Sequence, residues 1–101
     1  MLKLLLSLGN EMSVSIDLLD AFKAANGGIS DYRAARLIGV SQPTVSKIRQ
    51  GDTRWPPEKV LLLCEMANLD AVDWLLRWHR ERAKCDKEKQ VFDHVLARLA
   101  A

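Results

Sequence analysis

The chain is poor in the residues that carry metal, redox and covalent chemistry. Its 101 residues include two cysteines and two histidines. Cys64 and Cys85 lack any metal-site spacing, and His79 and His94 stand alone, so neither a metal site nor a bound cofactor is expected. No Ser–His–Asp, Cys–His or paired-carboxylate arrangement points to catalysis, and no enzyme is expected. No small-molecule ligand is evident either. Cys64 lies inside the apolar run VLLLCEMA and reads as a small core residue, in a reduced, cytoplasmic protein. No segment approaches the roughly 20 apolar residues of a membrane span, so no membrane partner is expected. The opening MLKLLLSLG has an apolar run of only about five residues and no small-residue cleavage site, which argues against a signal peptide. Two readings of residues 1–11 stay open. They form an apolar strap that packs on the core or on a partner, or an extension before the natural start, since Met12-Ser13 begins a conventional helix entry. Strand-like alternation, internal repeats and low-complexity tracts are also missing.

What remains is an ordinary single-domain composition, 49% hydrophobic and 28% charged, with three Trp and two Phe to fill a modest core. The formal net charge of +2 is too small to argue for nucleic acid by itself. Its distribution says more. Residues 31–59 hold Arg33, Arg36, Lys47, Arg49, Arg54 and Lys59 against Asp31, Asp52 and Glu58, a local +3. Residues 60–76 carry a local −3, and residues 77–90 return to +3. The region around residues 31–59 is therefore more basic than the stretch that follows it, as phosphate contact requires.

Hydrophobic spacing and end signals divide the chain into helices. Ser13 or Ser15 can cap a helix to about Ala25, with Ile16, Leu18, Leu19 and Phe22 apolar; Asn26-Gly27-Gly28 stops it. Pro57 opens a Leu-rich helix, Glu58–Ala67, that looks buried on most of its surface. Asn68 ends it, and Asp70 caps the next, with Asp73 near its positive end. Trp74 and Trp78 on that helix read as core or dimer contacts. Lys84–Lys89 is a break or a solvated helix, and a last helix to about Leu99 carries Val91, Phe92, Val95, Leu96 and Leu99 on one face.

The most informative stretch is Asp31 to Gln50, DYRAARLIGVSQPTVSKIRQ. It reads as a helix Asp31–Ile38, a turn Gly39-Val40-Ser41 and a helix Gln42–Gln50. Ala35 sits where a larger side chain would hold the two helices apart. Gly39 ends the first helix, where a left-handed backbone suits only glycine. Val45 and Ile48, three apart, point inward together. Ser41 is a good N-cap, and Pro43 is tolerated in the first turn. This small–glycine–branched-apolar spacing is that of a helix-turn-helix and resembles the DNA-binding domains of the lambda-repressor/Cro-like family over all twenty residues. The resemblance implies an all-α fold of five to six helices with an extra C-terminal helix. Residues 1–12 would be an N-terminal extension, 13–84 the DNA-binding domain, and 85–101 a C-terminal helix that serves as a dimerisation element.

A helix of this kind fits the major groove of B-DNA with its N-terminal half towards the bases. Here that half offers Gln42, Pro43, Thr44, Ser46 and Lys47 as base contacts. Gln42 can bond adenine bidentately, Lys47 can donate to guanine, and Thr44 and Ser46 can bond either way. Pro43 departs from the polar residue usual at its place and cannot hydrogen-bond a base. By resemblance, phosphate contacts come from Tyr32, Arg33, Gln50, Thr53 and Arg54; such contacts position the protein without reading sequence. Asp31 suits the start of its own helix better than a phosphate. Arg36 serves either an internal ion pair or a phosphate, and Arg49 faces either towards DNA or away.

One such motif reads only a few base pairs, and two-fold dimers bind half-sites about 34 Å apart. The expected partner set is therefore double-stranded operator DNA and a second copy of the chain. Val91, Phe92, Val95, Leu96 and Leu99 are the candidate dimer interface; the other reading is a final helix folded back on its own monomer. The expected function is a sequence-specific transcriptional regulator, a repressor or Cro-like protein. The chain is similar to short phage- or prophage-encoded regulators, and the stretch from Ser30 through WLLRWHRERAK resembles a small phage-related family. Two rivals stay open: an antitoxin that masks a toxin and autoregulates its operon, and an interaction module without DNA affinity.

Overall fold

The computed structural model describes residues 13–100. Both readings of residues 1–11 lie outside the described residues. Six helices and no strand occur among those described: α1 Val14–Ala25, α2 Asp31–Ile38, α3 Gln42–Gln50, α4 Pro57–Ala67, α5 Ala71–Arg82 and α6 Asp86–Ala100. The fold is all-α. None of the described helices is long and apolar enough to cross a membrane.

Local chemistry sets most boundaries. Ser30 Oγ accepts the Arg33 amide at 3.1 Å and starts α2. Gly39 stops it at φ 84°, a left-handed conformation that costs a non-glycine residue about 1–2 kcal/mol. Asp70 Oδ1 accepts the amides of Val72 and Asp73 at the start of α5. Pro57 occupies the first turn of α4, where its missing N–H leaves no gap. Asn68 closes α4 with φ 55°. The charged stretch after α5 resolves into a short break at residues 83–85, followed by α6.

The core joins α1 to α5. Leu18, Leu19 and Phe22 of α1 meet Ala34, Ala35 and Ile38 of α2, Val45 and Ile48 of α3, Val60, Leu63 and Cys64 of α4, and Trp78 of α5. α4 corrects one expectation. Only Val60, Leu63 and Cys64 are buried, while Leu61 is 46% exposed and Met66 is exposed as well. The helix buries one face, the one that packs on α1 and α5.

At the centre stands Trp55, in the segment between α3 and α4, with 1% of its surface exposed. Its amide donates to Ser15 Oγ at 3.0 Å and its indole Nε1 to the Ser15 carbonyl at 3.1 Å. Trp78 Nε1 donates to the Trp55 carbonyl at 2.6 Å. Each buried polar group of the indole junction thus has a partner, which removes the cost of burying it. Ser15 is not the cap of α1: its hydroxyl serves Trp55, and Ser13 makes no side-chain cap either. The start of α1 is instead satisfied from α5, where Glu81 Oε2 accepts the Val14 amide at 2.8 Å.

Candidate nucleic-acid interface

The geometry of the twenty-residue unit follows from which side of each helix is buried. Ala34, Ala35 and Ile38 turn α2 inward, and Val45 and Ile48 do the same for α3. The helical period then turns Gln42, Pro43, Ser46, Lys47 and Gln50 outward, and all five are exposed. Gln42, Pro43, Ser46 and Lys47 line one open hollow on the protein surface. Thr44 differs from them. It is half-buried, and its hydroxyl lies 2.8 Å from Ser41 Oγ, which also accepts the Thr44 amide at 3.3 Å. The Thr44 hydroxyl therefore takes part in the cap of α3.

Tyr32 and Arg33, at the start of α2, are exposed and line a second hollow with Ser30, Arg36 and Leu37. Arg36 Nη1 donates to the Tyr32 hydroxyl at 3.4 Å, and the guanidinium sits 5.9 Å from the ring centroid. Among the described residues Arg36 forms no ion pair. Thr53 and Arg54 follow Gly51, whose φ of 80° ends α3. They line a smaller polar hollow with Ser13, Ser15, Asp52 and Glu81. Arg33, Lys47 and Arg54 have no ion-pair partner among the described residues.

Arg49 behaves otherwise. Its Nε and Nη2 donate to the two carboxylate oxygens of Asp31, at 3.2 and 2.8 Å, and its Nη1 to Asp20 Oδ1 at 2.8 Å. Lys23 Nζ bonds the same Asp31 Oδ1 at 2.7 Å. The hydrogen bonds from Arg49 and then from Lys23 hold the Asp31 carboxyl well down, at about 2. The same contact with Asp31 raises Arg49, so its charge is fixed at any working pH. Asp31 sits in the first turn of α2, as expected, but its carboxylate is spent on α1 and α3. Asp17 moves in the opposite direction: burial, followed by its neighbour Asp20, pushes its carboxyl up.

The residues expected at a dimer surface lie on α6, whose packing partner is α5 of the same chain. His79 and Phe92 stack with centroids 6.4 Å apart, and Arg80 pairs with Asp93. Phe92, Val95 and Leu96 are half-buried in this hairpin. Val91 is 62% exposed and Leu99 52%. The helix both folds back on its own chain and leaves apolar surface uncovered. Of the two Trp of α5, Trp78 is core, while Trp74 is half-buried with Arg77 over its ring.

No family model, curated protein or solved structure matched the chain. Two groups escape reading from the sequence. Trp55 lies among turn-forming residues and shows no helical period. The Arg49 network joins residues 18 and 29 apart, and its signal is only a set of opposite charges on three different helices.

Proposed function

We propose that the protein is a sequence-specific DNA-binding transcriptional regulator with a lambda-repressor-like domain, a phage or prophage repressor or Cro-like protein. It works in the cytoplasm, without catalysis, as a homodimer on operator DNA. The observation that carries this reading is the outer face of α3. A helix fixed by two buried side chains and a capped N-terminus presents Gln42, Pro43, Ser46 and Lys47 to the outside, all on one hollow. Such a face matches the major groove in width and in hydrogen-bonding chemistry. Tyr32, Arg33, Gln50, Thr53 and Arg54 flank it as phosphate donors. Thr44 contributes beside its part in the cap of α3. Two copies are joined through the exposed side of α6, with Val91 and Leu99 at its centre.

Selection on random DNA duplexes tests the reading. A regulator enriches a two-fold symmetric site with half-sites about 34 Å apart. Gln42→Ala and Lys47→Ala then each cost about 1–3 kcal/mol on that site and relax its sequence preference. Arg54→Ala weakens binding on every sequence and flattens the salt dependence. A chain that enriches no duplex ends the proposal.

A further inference from the structure

α3 is nine residues long and rests on two buried side chains, Val45 and Ile48, less than one turn apart. So short an apolar seam holds the middle of the helix but does little against rocking about it. The end of the helix is held by something else. Arg49 grips Asp31 at the start of α2 with two parallel bonds and Asp20 of α1 with a third. Such a fork fixes direction as well as distance, because the guanidinium is planar. Lys23 bonds the carboxylate from the α1 side and so keeps Asp31 in the orientation the fork needs. Two cations and two anions close the group, and its side chains are between 24% and 55% exposed. Three of the five guanidinium N–H groups of Arg49 are engaged by Asp31 and Asp20.

We infer that Arg49, held by Asp31 and Asp20, is a positioning residue that sets the angle of α3 against α2, and thereby aligns Gln42 and Lys47 with the bases while Tyr32 and Arg33 hold the backbone. This rests on the proposed DNA-binding function. It differs from a phosphate contact, which would add affinity on all sequences, and from a merely structural ion pair, which would leave binding by the folded protein unchanged.

The test uses the full chain and the duplex enriched by the wild type. Binding of that duplex and of a scrambled one is measured by fluorescence anisotropy for wild type, Arg49→Gln and Arg49→Lys, over about 50 to 200 mM salt. The temperature is one at which circular dichroism shows every variant folded. Asp20→Ala, which removes one of the three bonds, replaces Arg49→Gln if the latter does not fold. The expected result for Arg49→Gln is a loss of roughly tenfold in the ratio of enriched to scrambled affinity, with the salt slope unchanged. Arg49→Lys restores part of the ratio, because a point charge keeps the attraction but not the fork. A salt slope shallower by about 0.9 makes Arg49 a phosphate ligand and overturns the inference. So does an unchanged ratio. A wild-type chain that enriches no duplex overturns the DNA-binding reading itself, and the positioning role with it.

Discussion

α3 and α6 are built on opposite plans. The nine residues of α3 contribute two fully buried side chains, a side-chain cap and an ion network that reaches two other helices. Among the described residues, the fifteen of α6 bury none of their side chains and pack chiefly on α5. Length is therefore a poor guide to what a helix gives this fold. A short helix packed on α1 and α2 takes its stability from tertiary contacts, whereas a long peripheral one relies more on its own backbone.

The sharpest test of this contrast is the same chemical deletion made on both helices. Ile48→Ala is expected to cost about 2–5 kcal/mol in urea unfolding, since the cavity would lie where α3 meets the core. Leu99→Ala should shift stability by no more than about 0.5 kcal/mol in dilute solution. Equal costs would mean that α6 is part of the cooperative core. Next in size is Gly39→Ala, which forces a methyl group into a left-handed turn and should lower stability by about 1–2 kcal/mol. Nothing lies within 4 Å of a Cβ built there, so backbone conformation alone is at issue.

Acid offers a smaller and more selective probe. The Asp31 carboxyl titrates at about 2 in the folded chain against an ordinary 3.8, so its contribution is fully present above about pH 4 and is lost as pH falls through about 2. The group is about one-third exposed, and screening reduces the effect to about 1 kcal/mol. Asp31→Asn should therefore lower stability at pH 7 and converge with wild type near pH 2. Asp17 has the opposite sign: its raised pKa opposes folding at neutral pH, and protonation relieves it. The smallest effect is expected at Val91→Gln, which should leave unfolding of the monomer unchanged, while sedimentation equilibrium reports whether self-association weakens. Unaltered self-association would remove Val91 from the contact surface.

How much of the architecture could be read in advance depends on the range of the interaction that sets it. Ser30, Ser41 and Asp70 bond amides two or three residues away, and Gly39 and Pro57 act through their own backbones. These signals are local, and the boundaries of α2 and α3 coincide with those expected from them. The outward placement of Gln42, Ser46 and Lys47 was legible for the same reason, because period alone decides it once Val45 and Ile48 are inside. Trp55 was not legible. Its place is set by Ser15, forty residues away, and by Trp78, twenty-three away. The exposure of Leu61 was hidden as well, since apolar composition does not tell which faces of a helix find a neighbour. Thr44 shows the limit within the candidate face: its position was clear, but the engagement of its hydroxyl depended on the rotamer of Ser41.

The indole junction has a practical consequence for following this molecule in solution. All three tryptophans lie outside α6: Trp55 and Trp78 are sealed in the core, and Trp74 flanks them on α5. Intrinsic emission is thus a report from the centre of the chain. Detachment of α6, from Asp86 onward, would leave Trp55 and Trp78 in the core of the other five helices, while the helical circular-dichroism signal would fall at once. A mismatch between the two optical transitions would mark the separate melting of α6, and their coincidence would mark a single cooperative unit.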